Sequence, residues 1–295
     1  MSKAQKIISA FLSLLIVICL VILGYMLYSD KQDTDRQQEL VASVSPEPLP
    51  ESSAASDADT VTESVDPSAN NSSDAEQDTS SSPPEEELPK VENPYRDAYL
   101  ANPDMHAWLQ IPGTVIDYPV MWTPEDENKY LYLDFEGRDN KNGSLLLDTD
   151  SCLSPLTTNL IIHGHNMKSG AMFGNLTDYE KPDYYQKHKN IILYTPECQR
   201  NYEVIAVFRS QVYKKSDQVF KFYKFFQADS QEEFDDFYNN IKNLSLYDTG
   251  VTASYGDRFL TLSTCVYHVK NGRFVVVAKE VEPGDSYLPV RNSES

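Results

Sequence analysis

A long segment with almost nothing to bury divides this chain and confines folding to the residues on its C-terminal side. Residues 29–92 are rich in Ser, Pro, Asp and Glu and poor in large apolar side chains. Because such a composition does not offset the conformational entropy lost on ordering, we predict a disordered linker here. Residues 93–295 have the mixed apolar and polar texture of one packed domain with a sizeable core.

The residues before the linker form an uncharged apolar run. Residues 7–28 read IISAFLSLLIVICLVILGYMLY, long enough to cross a hydrocarbon core of about 30 Å as a helix. Two lysines precede the run and three aspartates soon follow it, so the positive-inside rule places the N-terminus in the cytoplasm. A cleaved signal peptide would have a shorter apolar region and a small-residue cleavage site. We therefore predict that residues 1–28 are a retained single-pass membrane anchor and that the domain is extracellular.

The formal net charge of −20 at pH 7 is concentrated in the linker. Such a segment repels itself and disfavours binding to nucleic acid and to anionic lipid surfaces. The charge therefore argues against a nucleic-acid partner, and it leaves the substrate of the domain open.

Short β-type runs separated by turn residues fill the domain. A short helix is favoured at residues 93–101, and residues 231–244 place apolar side chains on one helical face after Asp229 or Ser230, either of which could cap the helix. Turn signals occur at Gly113-Thr114, Asn142-Gly143 and Asn271-Gly272, and the predicted strands are 106–111, 115–120, 144–147, 159–163, 190–194, 202–208, 258–263 and 273–279. About eight short strands with peripheral helices indicate a mostly-β barrel.

Three residue types suited to thiol chemistry lie at predicted strand ends. Cys265 follows one strand, Arg273 opens the next, and His165 follows a strand far upstream. A thiolate can attack a carbonyl, an imidazole can transfer protons, and a guanidinium can stabilise an oxyanion. His163 or His268 could take the place of His165, and Arg273 could instead be an ordinary salt-bridge partner.

The other cysteines and the histidine pair give weaker signals. No CxxC pair is present, so neither a zinc site nor a dense disulfide framework is predicted. Cys152 and Cys198 could form a disulfide or remain separate thiols. His163 and His165 form an HxH motif without an evident third ligand, so we predict no metal and no cofactor.

The segments TLSTC, GRFVVVAK and IIHGHNM together resemble the signature of the sortase family, and within it class B. The family pattern has a TLxTC segment, an Arg at the start of the next strand and a His directly after a Gly; Cys265, Arg273 and His165 match it. Features similar to class B are Ser263 within TLSTC, an insertion at about residues 216–244, and the N-terminal anchor. The resemblance covers about residues 93–281 and implies an eight-stranded sortase-type β-barrel with calcium-independent activity.

The resemblance also implies an activity, cysteine transpeptidation, and its partners. The thiolate would cleave a C-terminal sorting motif of a secreted protein, NPxTN-like or a variant, and a peptidoglycan-precursor amine would resolve the thioacyl-enzyme. Ser263 is the candidate substrate contact. Val266 follows Cys265 where some class B members carry an acidic residue, so substrate contacts do not transfer directly from those members.

Three other functions fit the sequence less well. A pilin-polymerising sortase usually adds an N-terminal lid and a C-terminal membrane segment, and neither is visible. A non-catalytic, surface-displayed binding domain would not need all three catalytic residue types. An L,D-transpeptidase would have an SHGC-type segment near its nucleophile, and none occurs.

Overall fold

A closed barrel of eight β-strands forms the centre of the part of the chain that the structure describes. The structure is a computed structural model, and it describes residues 3–44, 91–267, 269–281 and 287–288. The strands are β1 (Met105–Gln110), β2 (Asp117–Met121), β3 (Leu145–Leu147), β4 (Asn159–Gly164), β5 (Asn190–Tyr194), β6 (Gln199–Gln211), β7 (Phe259–Cys265) and β8 (Gly272–Glu280). Helix α1 (Lys3–Val44) precedes the barrel in the chain, and the other helices are α2 (Arg96–Ala101), α3 (Pro182–Lys187) and α4 (Gln231–Leu244).

The strands follow the order β1-β2-β3-β4-β7-β8-β6-β5 around the barrel, and β5 closes it by pairing with β1. The β2–β3 and β4–β7 pairs are parallel, and the other pairs are antiparallel. This arrangement confirms the predicted mostly-β barrel, and each predicted strand overlaps an observed one. The parallel pair places β7 directly beside β4, although the two strands are far apart in sequence.

Strand β7 is buried on both faces along most of its length. Leu260 and Leu262 point into the barrel core, while Phe259 belongs to a second apolar cluster on the outer face. Helix α4 covers that cluster with Phe234, Phe237 and Ile241. Two-sided burial of apolar side chains fixes the strand register, because a slip by one residue would exchange its faces. The C-terminal end of β7 is therefore held on a rigid support.

The N-terminal helix is longer than the predicted anchor. Helix α1 continues to Val44, well past residue 29, where the sequence predicted the start of the linker. Residues 29–44 contain many good helix formers and no Gly or Pro, and Pro46 is incompatible with further helix. Of the remaining predicted linker residues, 45–90 lie outside the described residues.

One helix in the described part of the chain is long and apolar enough to cross a membrane. The candidate span lies in α1 at Leu14–Arg36, and none of its most apolar 18-residue stretch is buried against the rest of the described structure. Its length and composition fit either a membrane anchor or a signal sequence.

Candidate active site

Three neighbouring strands bring the predicted site residues together. In the β7–β8 ladder Cys265 pairs with Arg273, and in the β4–β7 ladder Gly164 pairs with Thr264. His165 follows Gly164 and is therefore level with Cys265. Paired residues place their side chains on the same sheet face. Cys265 thus lies on the central strand, between the strand that carries Arg273 and the strand that His165 follows.

The residues predicted from sequence line one cavity of about 370 Å³. Its wall includes His165, Ser263, Cys265 and Arg273, together with residues of the segment between β2 and β3. A larger and more open depression, about 1250 Å³, lies between α4 and residues 219–227 and contains no Cys or His in its lining. The smaller cavity is therefore the one that combines a thiol, an imidazole and a guanidinium.

Cys265 is the last residue of β7 and a half-buried free thiol. The side-chain amide of Asn166 donates a hydrogen bond of 2.9 Å to the Cys265 carbonyl oxygen. Because Asn166 directly follows His165, this bond joins the segment after β4 to the end of β7. The bond holds the segment that carries His165 next to the strand end that carries Cys265.

The imidazole of His165 is held from two directions. Its Nε2 lies 2.9 Å from the carbonyl oxygen of Leu131, and its ring stacks on Tyr132 with centroids 5.5 Å apart. A carbonyl oxygen only accepts hydrogen bonds, so Nε2 carries the proton and donates it to Leu131. When the ring is neutral, Nδ1 is then the nitrogen with a free lone pair.

Gly164, the last residue of β4, packs closely against the barrel core directly before His165. A Cβ atom at this position would come within 2.6 Å of the side chains of Leu145 and Phe173. Thr264 donates a hydrogen bond of 2.7 Å to the Gly164 carbonyl oxygen. The Gly before His165 is therefore required by close packing against the barrel core.

Arg273 is not used by a structural ion pair among the described residues. Its Nη1 donates a hydrogen bond of 3.1 Å to the carbonyl oxygen of Gly272, and no carboxylate in the described part of the chain lies within ion-pair distance of it. An ordinary salt-bridge role, open from the sequence, has no support here. The guanidinium faces the cavity with donors available to an oxyanion.

Ser263 and His163 line the cavity beside Cys265. Ser263 pairs with His163 in the β4–β7 ladder, and its hydroxyl oxygen is buried with no hydrogen-bond partner among the described residues. Both side chains also line an adjoining chamber of about 210 Å³. A buried hydroxyl that faces a cavity without a partner is a position at which a bound ligand can supply the missing hydrogen bond.

The two histidines of the HxH motif have different partners. Nε2 of His163 lies 3.0 Å from a carboxylate oxygen of Asp148, whereas His165 bonds to a backbone carbonyl. Burial alone would raise the pKa of Asp148, but hydrogen bonds from His163 and from the Asp150 amide outweigh it and lower that pKa below its usual value. The His163 imidazole is thus already hydrogen-bonded to a carboxylate. The third histidine considered from the sequence, His268, lies outside the described residues.

The remaining cysteines stand apart from the site. Cys152 and Cys198 are both free thiols, so the structure excludes the disulfide that the sequence left open. Within the described ranges, no group of three or more His, Cys, Asp or Glu side chains is arranged to hold a metal ion.

Several residues of the site carried no clear signal in the sequence. Leu131 and Tyr132 lie in a segment without regular secondary structure. Leu131 contacts the His165 imidazole with its backbone carbonyl, and Tyr132 contacts it with the face of its ring. Asp148 follows a short strand and has no motif around it. Asn166 was visible within IIHGHNM, and only its position directly after His165 could have singled it out.

The comparisons with known families and sequences agree with one another. The family model for the sortase domain matches residues 109–281. Sortase B of Staphylococcus aureus (strain NCTC 8325 / PS 47) is 31% identical over 191 residues, which are 61% of this chain and 72% of that protein. Sortase B of Listeria monocytogenes serovar 1/2a (strain ATCC BAA-679 / EGD-e) is 31% identical over 196 residues, which are 65% of this chain and 76% of that protein.

Solved structures show the same similarity. A Staphylococcus aureus sortase B–substrate complex aligns with a TM-score of 0.58 at 29% identity, covering 65% of this chain and 87% of that one. Clostridium perfringens sortase B aligns with a TM-score of 0.57 at 26% identity, covering 63% of this chain and 99% of that one.

Proposed function

Because the chain belongs to the sortase family, whose members are cysteine transpeptidases, we propose that it transfers secreted proteins to an amine with Cys265 as its nucleophile. The observation that carries this proposal is that one cavity is lined by Cys265, His165 and Arg273, supplied by three adjacent strand ends. These are the three kinds of group that acyl transfer through a thiol requires.

The first half-reaction forms a thioacyl-enzyme. The sulfur of Cys265 attacks the carbonyl carbon of the scissile peptide bond, so that a C–S bond forms and the C–N bond breaks. The imidazolium of His165 gives its proton to the departing amine. Since the Nε2 proton is engaged by Leu131, the exchangeable proton is carried on Nδ1.

The second half-reaction returns the enzyme to its starting state. An acceptor amine attacks the thioester carbon, a new C–N bond forms, and the C–S bond breaks to regenerate the thiolate. His165 takes up the proton that the attacking amine loses. Both half-reactions pass through a tetrahedral oxyanion, and Arg273 would donate hydrogen bonds to it.

The substrate would be a sorting peptide bound along the outer face of β7. Ser263 lies two residues before Cys265 on the same strand face, and its unpartnered hydroxyl would hydrogen-bond to the peptide. A relative of this fold was solved as a sortase B–substrate complex. By that likeness we propose a C-terminal sorting motif of the NPxTN type or a variant as donor, and a peptidoglycan-precursor amine as acceptor.

The N-terminal region would hold the catalytic domain at the outer surface of the membrane. The apolar part of α1 is long enough to span, and its described apolar side chains are exposed. We propose residues 1–28 as the anchor, with the N-terminus in the cytoplasm, and the acidic segment after α1 as a tether to the domain that begins near residue 93.

The test is to trap the intermediate and identify both products. The full chain in detergent micelles is incubated with a library of sorting-motif peptides, alone and with either a peptidoglycan-stem peptide or a pilin-type lysine peptide as acceptor. Mass spectrometry should find the acyl group on Cys265 and a product joined to the stem amine. Joining to the lysine peptide alone would indicate pilin polymerisation. Absence of any acyl-enzyme with every peptide would contradict the proposal.

A further inference from the structure

The carbonyl group of Leu131 is held in place by a glycine that lies far from it in sequence. Gly143 has a φ of +59°, and a Cβ atom built on it would lie 2.9 Å from the Leu131 carbonyl carbon and closer still to the carbonyl oxygen. No side chain fits such a gap. The backbone of Gly143 therefore packs directly against the peptide group whose oxygen accepts the hydrogen bond from His165.

The surrounding segment makes this contact rigid. The Gly143 amide donates to the Asn140 carbonyl oxygen at 3.0 Å, and the Asn140 amide donates to the Tyr132 carbonyl oxygen at 2.9 Å. The next residue, Ser144, donates its amide to the Tyr130 carbonyl oxygen at 3.0 Å. These bonds lie on both sides of Leu131, so its carbonyl has little freedom to rotate away from the imidazole.

The two contacts on His165 have separate effects. Stacking on Tyr132 sets the plane of the ring, and the carbonyl of Leu131 sets its rotation within that plane and the nitrogen that carries the proton. If the carbonyl moved, the ring could turn over and present Nε2 to the cavity instead of Nδ1. Proton transfer would then start from the wrong position.

We propose that Gly143 is a positioning residue for catalysis. Because it has no side chain, the Leu131 carbonyl can pack against its backbone and accept the hydrogen bond from Nε2 of His165. This contact selects the Nε2-protonated form of His165 and directs Nδ1 to the reacting atoms. This inference rests on the proposed role of His165. It adds that the Asn142-Gly143 turn serves the site as well as the chain reversal.

Gly137 provides a matched control. It lies in the same segment between β2 and β3, has a φ of +76°, and would have nothing within 4 Å of a Cβ atom added to it. Alanine at either position therefore carries a similar backbone cost, because both backbones are left-handed. Only alanine at 143 also collides with the carbonyl.

The experiment combines a tautomer measurement with kinetics. The full chain is labelled with 15N-histidine in detergent micelles, and His165→Ala identifies the His165 signals. Two-bond 1H–15N spectra at a pH where the ring is neutral should show His165 protonated on Nε2 in the wild-type protein. In Gly143→Ala that preference should weaken, and kcat/KM should fall by roughly ten- to a hundredfold with a changed pH profile, as expected for a misplaced catalytic group. Gly137→Ala should retain both properties.

The outcomes separate this inference from the proposed function. Wild-type His165 protonated on Nδ1 would overturn the inference, and this measurement does not require Gly143→Ala to fold. A second result would also overturn it: His165→Ala is inactive, but Gly143→Ala keeps both the wild-type tautomer of His165 and the wild-type pH profile. Full activity of His165→Ala would instead overturn the proposed function itself.

Discussion

Cys265 and Arg273 are cross-strand partners at the end of the β7–β8 ladder, and both side chains line the same cavity. Directly paired residues on adjacent strands have Cβ atoms about 4.5–5.5 Å apart. The guanidinium is therefore within reach of any oxygen on a carbon bonded to the sulfur. This pairing depends only on strand register, which buried side chains on both faces of β7 fix.

Replacing Arg273 with alanine should lower kcat/KM for a sorting peptide by roughly 10²–10³, because the oxyanion would lose its charged donor. Steady-state cleavage of a fluorogenic peptide measures the effect. Arg258→Ala is the matched control, since Arg258 lies at the far end of β7 and only approaches Glu280 at 3.8 Å. Equal activity of the two variants would remove Arg273 from the mechanism.

Replacing His165 with alanine should lower the turnover rate by roughly 10²–10⁴, the usual contribution of a positioned proton donor and acceptor. His188→Ala serves as the control. His188 also bonds to a backbone carbonyl, that of Pro112 at 3.0 Å, but it lies outside the cavity. A large loss in both variants would point to general destabilisation, which thermal unfolding of each protein detects.

Replacing Ser263 with alanine should raise KM several-fold, since a hydrogen bond to the substrate contributes about 1 kcal/mol. Thermal stability should not fall, because the deleted hydroxyl has no partner within the described residues. Thr261→Ala on the same strand is the control for stability. Thr261 donates to Asn159 at 2.9 Å in a buried pair, so its loss should cost about 1–3 kcal/mol. An unchanged KM in Ser263→Ala would exclude this substrate contact.

The Asp148–His163 pair should make stability depend on acid pH. The folded protein lowers the pKa of Asp148 below its unfolded value of about 3.9, since hydrogen bonds from His163 and the Asp150 amide outweigh burial. A lowered pKa contributes stability that is fully present above the unfolded pKa and is lost as pH falls through the folded pKa. Wild type should therefore be more stable than Asp148→Asn at pH 6, and the difference should shrink below about pH 4.

Urea unfolding at a series of pH values measures this difference. Asp150→Asn is the control, because it removes a charge from the same segment and leaves the bond to His163 intact. A stability difference between wild type and Asp148→Asn that stays constant from pH 6 to pH 3 would show that the pair does not contribute in this way.

Periodicity was enough to predict the barrel because most strands here are short and bounded by turn residues. Strand β5 and helix α4 begin and end at the predicted residues. Ser230 proved to be the cap of α4: its hydroxyl accepts from the Glu233 amide. Strand β6 is longer than predicted at both ends, because residues 199–201 and 209–211 are polar or charged and carry no apolar strand signal.

Features without periodicity were missed. Helix α3 begins at Pro182, and a Pro in the first turn was a signal that could have been used. The contact of Leu131 with His165 had no signal, because any residue supplies a carbonyl group and only the folded segment shows which one reaches the ring. The side chains proposed as catalytic could be singled out from the sequence because their chemistry restricts residue type, whereas the groups that orient them are mostly backbone.

The parallel pairing of β4 with β7 also sets the order in which the parts of the proposed active site are synthesised and brought together. The ribosome completes β4 about a hundred residues before β7, and β8 comes last of the barrel strands. Contacts between such distant segments form late in folding because the intervening loop must first close. A nascent chain that stops short of β8 holds Cys265 without Arg273, so by the proposed mechanism we expect incomplete copies to be inactive.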